Sequence, residues 1–268
     1  MLTLFEHIPG ADIPFYVGLM DHLSHHGVIC PEPMRMDDGE LISHVNGKPA
    51  VIVSRLPGAP QPSPDARACH AAGRILAAIH VAAVEYDASL DNARGRAWRE
   101  SFAPKIAPRI PRAEAELIAS ENAYQAMHDD TALPQGIIHG DFFHDNVLWE
   151  DAHTGGVIDF YFACDDILLY DVAIAVNDWC TNKDSTLDHE RARAFVTGYS
   201  ELRPLEETER LMWPVMLRRA ALRTWLGRLG YNYFPRDSHM TIPKDHPFSR
   251  RLLEHHISHA RALEDTLG

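Results

Sequence analysis

The stretch "IIHGDFFHDNVLW" (residues 137–149) sets His139, Asp141, His144, Asp145 and Asn146 between the apolar pairs Ile137-Ile138 and Val147-Leu148. Apolar runs flanking a polar loop predict two strands whose ends meet at one point, and the fold has to deliver that point to a cleft. The expected order is a strand at 137–139, a loop at 140–145, a short strand at 146–149, a turn containing Gly155-Gly156, and a strand at 157–160. Asp159, in "GVIDF", ends the last of these and lies thirteen residues after Asn146.

The spacing His139-x-Asp141-x-x-x-x-Asn146 with a later Asp159 suits phosphoryl transfer. One carboxylate orients the attacking hydroxyl and accepts its proton; a second carboxylate and an amide oxygen hold magnesium against nucleotide phosphates. Taken alone, Asp141 reads as a turn former and Asn146 as an Asx-turn residue; only their mutual offset makes them a set. His139 reads as a prop for the loop backbone, and His144 as either a solvent-facing residue or an acceptor-site residue. Two readings from other classes compete. "GDFFHDN" superficially matches the Gly-Asp-x-His loops of two-metal phosphoesterases, but its spacing is off by one and no Asp-x-His pair precedes it. A non-catalytic nucleotide-binding module is the other.

Upstream, "MLTLFEH" reads as a strand and "DIPFYVGLMDHLSHH" as a helix with Phe15, Leu19, Met20 and Leu23 on one face. "ELISHVNGKPAVIVSR" reads as a hairpin turning at Asn46-Gly47, a pair favoured where both turn residues take positive φ. "LPGAPQPSPD" reads as a stiff linker, with Ser63-Pro64-Asp65 opening a helix capped by the Ser63 hydroxyl and ending near His80. A helix is expected over "RAEAELIASENAYQAMHDD", and helical spacing prevails after residue 167. The layout predicts a small strand-rich piece at 1–56, a hinge, and a larger helical piece at 57–268.

Composition narrows the partners. Twenty-five Lys and Arg against 38 Asp and Glu give a net charge of −13, which disfavours nucleic acid and anionic membranes. No apolar run approaches the ~18 residues of a membrane helix, and no signal peptide opens the chain. Cys30, Cys69, Cys164 and Cys180 are scattered and read as reduced packing thiols of a cytosolic protein. His255 and His259, one helical turn apart, read as a solvated face, since no third ligand is near.

"HGDFFHDN" followed by "GVIDF" and "YDVA" resembles the aminoglycoside and choline phosphotransferase superfamily, relatives of protein kinases. "VIDFYFACDDILLYDVAIAVNDWC", "PVMLRRAALRTWLGRL", "LTLFEHIP", "NGKPAVIVSRLPG" and "GRILAAIH" look like its homoserine kinase branch, and the likeness covers nearly the whole chain. The resemblance implies an α+β, two-lobed, protein-kinase-like fold with a small truncated β-rich lobe and a large helical lobe. It further implies ATP- and Mg2+-dependent phosphorylation of the L-homoserine hydroxyl on the way to threonine. Asp141 would be the catalytic base, Asn146 and Asp159 the magnesium ligands, and the backbone of Ser54 and Leu56 the adenine contact. Asp171 and His139 would brace the catalytic loop. For the amino-acid acceptor, the candidates are His144, Asn177, Asp178 and Trp179, with Arg219, Arg223 and Trp225; Arg219 and Arg223, one turn apart, are expected to fork onto a carboxylate. The alternatives in the same fold are an amino-alcohol or aminoglycoside acceptor, or an inactive nucleotide-binding relative.

Against the superfamily pattern, Thr3 falls where a phosphate-contacting Lys is usual, and Lys48, in the hairpin turn, is the first Lys of the chain. The helix at 12–26 offers no Glu partner for such a Lys. The family layout also places two strands and a phosphate-covering turn ahead of Leu2. On that layout the strand at 2–6 has an unpaired edge, and the chain is expected to gain solubility, ATP affinity and activity when upstream residues are supplied.

Overall fold

The computed structural model describes residues 1–128, 130–151, 155–235 and 245–267. The first 56 residues form a three-stranded antiparallel sheet with one helix against it. Strand β1 (Leu2–Leu4) pairs with β3 (Lys48–Ile52), and β2 (Ser43–Val45) pairs with the other edge of β3. The β2–β3 turn is the Asn46-Gly47 pair, with φ of 51° and 76°, so the left-handed backbone expected of that dipeptide is present. Helix α1 (Ile13–His25) starts with Pro14 in its first turn and buries Phe15, Leu19, Met20 and Leu23.

Helix α2 (Ala66–Ala82) follows the proline-rich segment. Its cap is Asp65, whose carboxylate accepts from the Ala68 amide, and not Ser63; the helix begins two residues later than the Ser-Pro-Asp signature suggests and runs two past His80. A charged acceptor at the positive helix end accounts for that choice. Helices α3 (Arg96–Ile106) and α4 (Arg112–Ala126) come next, then β4 (Gln135–Ile138), β5 (Val147–Trp149), β6 (Gly155–Val157) and β7 (Cys164–Ile167). Here two expectations need correction. Gly155-Gly156 lies in β6, paired to β5, and not in the turn. A Cβ on Gly155 would sit 2.9 Å from Ile75, and one on Gly156 would sit 2.8 Å from Leu56, so the glycines are there for close packing. And β4 pairs with β7, a strand the sequence reading missed because "CDDI" has no apolar alternation.

The remainder is helical: α5 (Leu168–Trp179), α6 (His189–Ser200), α7 (Glu207–Tyr233) and α8 (His246–Ser258). One core joins α1, β3, α2, β4, α5 and α6; a second, of Ile106, Ile118, Leu222, Trp225, Leu226 and Leu253, joins α3, α4, α7 and α8. Helices α2 and α6 cross at two glycines: a Cβ on Gly73 would lie 2.0 Å from the Phe195 carbonyl oxygen, and one on Gly198 would lie 2.0 Å from that of His70. Backbone blocks both, so neither clash yields to a side-chain rotation. Gly73→Ala is expected to lower unfolding free energy by about 3 kcal/mol or more, read by chemical denaturation. No described helix is long and apolar enough to cross a membrane.

Candidate active site

The loop after β4 is held from behind by one buried carboxylate. Asp171, in the first turn of α5, accepts from the amides of His139 (2.7 Å, Oδ2) and Gly140 (2.9 Å, Oδ1), and from His80 Nε2 (3.0 Å). His80 Nδ1 in turn shares a hydrogen bond with the Tyr199 hydroxyl at 2.7 Å. Burial pushes the Asp171 carboxyl up, but the His80 hydrogen bond and charge outweigh it and hold the group below the usual carboxylate range. Inside the loop, His139 donates from Nε2 to the Ile158 carbonyl and accepts on Nδ1 from the Asp141 amide at 3.2 Å, with burial holding the ring neutral. Gly140 takes φ of 72° with the Phe162 carbonyl 2.5 Å from where a Cβ would be, so the turn admits only glycine without rearrangement.

This brace aims Asp141 and Asn146 at each other. The Asn146 amide nitrogen donates to the Asp141 carbonyl at 2.9 Å and approaches its Oδ2 at 3.4 Å, which leaves the Asn146 Oδ1 as a directed acceptor. Asp159 follows β6 in a left-handed conformation, φ 65°, which is uncommon for a residue with a Cβ and marks a position held by its surroundings. Asp141 is pushed up to about 6, by burial first; Arg223 opposes the rise and the Asp159 charge adds to it. Asp159 is also raised, mainly by burial. Two carboxylates with raised affinity for a proton, beside an oriented amide oxygen, are a hard-oxygen donor set short of positive charge, which suits a divalent cation such as magnesium. Among the described residues no group of three or more His, Cys, Asp or Glu side chains is placed to hold a metal ion.

The predicted acceptor residues separate. Arg223 belongs to the site: it is buried, donates to the Gly140 carbonyl at 2.5 Å and stands 3.8 Å from Asp141 Oδ1. Arg219 does not, and the expected fork is absent. Its guanidinium turns to α4 and the segment after it, bonding Gln125 (3.0 Å) and Asp130 (2.6 Å). Trp225 is likewise withdrawn, fully buried in the second core. One turn of helix places two side chains about 40° apart around the axis, enough here for one to face the loop and the other α4. Asp178 and His144 come together: Asp178 Oδ2 accepts from both the His144 amide and its Nδ1, each at 2.7 Å, and the pairing raises the imidazole pKa. Trp179 donates to the Phe142 carbonyl at 3.0 Å and so supports the loop from α5. Asn177 is spent on the Leu217 carbonyl and on His256, which donates to it at 2.8 Å.

A cavity of about 640 Å³ lies among α5, α7, α8 and the proline-rich segment, reaching the catalytic loop at Phe143 and His144. Asp178, Thr224, Arg228 and Ser249 are among its lining residues; Asp141 is not. At the hinge, the Ser54 amide is taken by the Glu32 carbonyl at 2.8 Å, and the Ser54 hydroxyl accepts from the Glu32 amide. Among the described residues the Ser54 carbonyl and Leu56 amide have no partner, so these two groups, and not the Ser54 amide, are what the hinge offers a ligand. Three residues escaped the sequence reading. His80 supports Asp171 across 91 positions; Arg228 lines the cavity; Arg94 lies over the Phe162 ring (4.5 Å), and its charge lowers the Asp141 pKa. His80 and Arg228 lie in stretches that carry the family resemblance, but nothing in their local spacing gives them, or Arg94, a role.

Fold and site together define a kinase-like phosphotransferase. The profile described as "Phosphotransferase enzyme family" matches residues 2–205. A homoserine kinase of Methylobacillus flagellatus is 43% identical over 258 residues, covering 96% of the chain and 81% of the relative. Another, of Cupriavidus metallidurans, is 41% identical over 273 residues, covering 98% and 83%. The chain belongs to this phosphotransferase family and, within it, to the homoserine kinases. Among solved structures, an amicoumacin kinase aligns with a TM-score of 0.68 at 14% identity (98% of this chain, 80% of that one). A choline kinase of Cryptosporidium parvum aligns at 0.65 and 13% identity (98% and 83%). These confirm the kinase-like fold.

Proposed function

We propose that the protein transfers the terminal phosphoryl group of ATP to the side-chain hydroxyl of L-homoserine. The observation that carries the chemistry is a loop braced by Asp171 that holds Asp141 against Asn146, with Arg223 beside Asp141 and the Asp159 charge acting on it. Forty per cent and more identity to proteins named homoserine kinase supports the acceptor.

In this reading Asp141 accepts the hydroxyl proton as the oxygen attacks phosphorus, and a pKa of about 6 keeps it ionised at neutral pH while making it a better base than an ordinary carboxylate. Asn146 Oδ1 and Asp159 would hold magnesium, which neutralises charge on the nucleotide phosphates. Arg223, fixed on the Gly140 carbonyl, contributes a fixed positive charge beside the reacting oxygen. The Ser54 carbonyl and Leu56 amide present one acceptor and one donor to adenine.

Asp159→Ala removes a charged ligand and is expected to weaken magnesium–nucleotide binding about 10- to 100-fold while nucleotide without metal binds as before, measured by calorimetric titration with and without magnesium. The function itself is tested by a coupled ADP-release assay over L-homoserine, other hydroxy amino acids, amino alcohols and aminoglycosides. Homoserine is expected to give the highest kcat/KM; a higher value for an aminoglycoside or an amino alcohol overturns the assignment.

A further inference from the structure

Arg228, on α7, lines the cavity beside the catalytic loop, stacks near the Phe248 ring at 5.8 Å and donates from one terminal nitrogen to the Asp245 carbonyl at 2.9 Å. Among the described residues it forms no ion pair, although the Asp178 and Asp245 carboxylates lie near enough to act on its charge. By contrast Arg191, which lines the same cavity, is bound to Asp188, Asn182 and the Trp179 carbonyl. A half-exposed guanidinium on a cavity wall is placed to pair with an anionic group of a ligand. Burial lowers its pKa, and the nearby charges of Asp178 and Asp245 oppose this without reversing it, so a negative group placed on Arg228 is favoured.

Asp178 stands in the same cavity with complementary chemistry. Its Oδ2 accepts both bonds from His144, and its Oδ1 has no partner among the described residues. One cavity thus presents Arg228, which has no ion pair among the described residues, and the half-used carboxylate of Asp178 next to the loop that bears Asp141.

We infer that Arg228 receives the α-carboxylate and Asp178 Oδ1 the α-ammonium of a zwitterionic hydroxy amino acid, which fixes its side-chain hydroxyl toward Asp141. This rests on the function proposed above and adds residues that set acceptor specificity. A planar guanidinium pairs with a carboxylate through two parallel hydrogen bonds, and each end of the zwitterion is discriminated from the analogue that lacks it, because the protein group is otherwise left unpaired.

The test compares kcat/KM for L-homoserine, 3-aminopropan-1-ol, which lacks the carboxylate, and 4-hydroxybutanoate, which lacks the ammonium. Arg228→Gln is expected to collapse the preference for homoserine over 3-aminopropan-1-ol by about 10- to 100-fold. Arg228→Lys, which keeps the charge and loses the fork, is expected to retain an intermediate preference. Asp178→Asn is expected to collapse instead the preference over 4-hydroxybutanoate. This crossed pattern does not arise from general loosening of the fold, which lowers all three rates together. If the wild type prefers homoserine and Arg228→Gln and Arg228→Lys both keep its preference within about threefold, the assignment of Arg228 is wrong while the function stands. Failure of the wild type to phosphorylate homoserine removes both.

Discussion

Asp141→Asn is expected to lower kcat by about 10² to 10⁴ and at the same time to raise the melting temperature of the ligand-free protein. The two effects share one cause. Burial holds the Asp141 pKa near 6, above its unfolded value of 3.8, so ionising the group costs more in the folded state. The sign follows from linkage: stability is highest while the group is protonated in both states, falls as pH rises from the unfolded to the folded pKa, and stays lower above it. At neutral pH that penalty is about 3 kcal/mol, an upper figure, and the neutral amide escapes it. Circular dichroism melts at pH 7 and pH 4 separate the cases: the gain is expected at the higher pH and absent at the lower. For the wild type, kcat/KM is expected to fall as pH drops through about 6, because the protonated acid cannot accept the hydroxyl proton.

Removing the brace is expected to have the largest effect on stability. Asp171→Ala strands the amides of His139 and Gly140 and the Nε2 of His80, all buried. Breaking a buried, fully bonded carboxylate costs about 3 to 5 kcal/mol, a large share of a domain's stability. Asp171→Asn keeps the shape but supplies a single acceptor atom where three donors converge on two oxygens, so it is expected to recover little. Denaturant unfolding of the two variants, with kcat measured below their transition, tests this. A loss under about 1 kcal/mol for Asp171→Ala indicates that the loop holds its shape without the carboxylate.

Much of this site was legible because its chemistry is local. Asp141 and Asn146 lie five residues apart on one loop, so spacing alone declared them. The Asn46-Gly47 hairpin was legible for the same reason: its two residues carry the conformational requirement themselves. What spacing could not reveal was direction. Arg219 and Arg223 share a helix and look equivalent in sequence, yet neighbours contributed by α4 and by the loop at Gly140 separate them. Arg228 carries no signal of its own in the sequence; α8 and Phe248 bring it to the cavity wall. Gly155-Gly156 mimicked a turn because the reason for glycine, the approach of Ile75 and Leu56, comes from elsewhere in the chain. Sequence reports which groups exist and how adjacent ones are spaced; packing decides which of them meet.

The central claim is that Asp141 directs phosphoryl transfer to the hydroxyl of homoserine and not to water. Phosphorus NMR of the protein with ATP, magnesium and L-homoserine measures this directly. The expected result is a phosphomonoester resonance that grows in proportion to ADP with the wild type and is at least about 100-fold slower with Asp141→Asn. ADP accumulating with inorganic phosphate alone, or an equal rate of phosphomonoester formation by the variant, contradicts it.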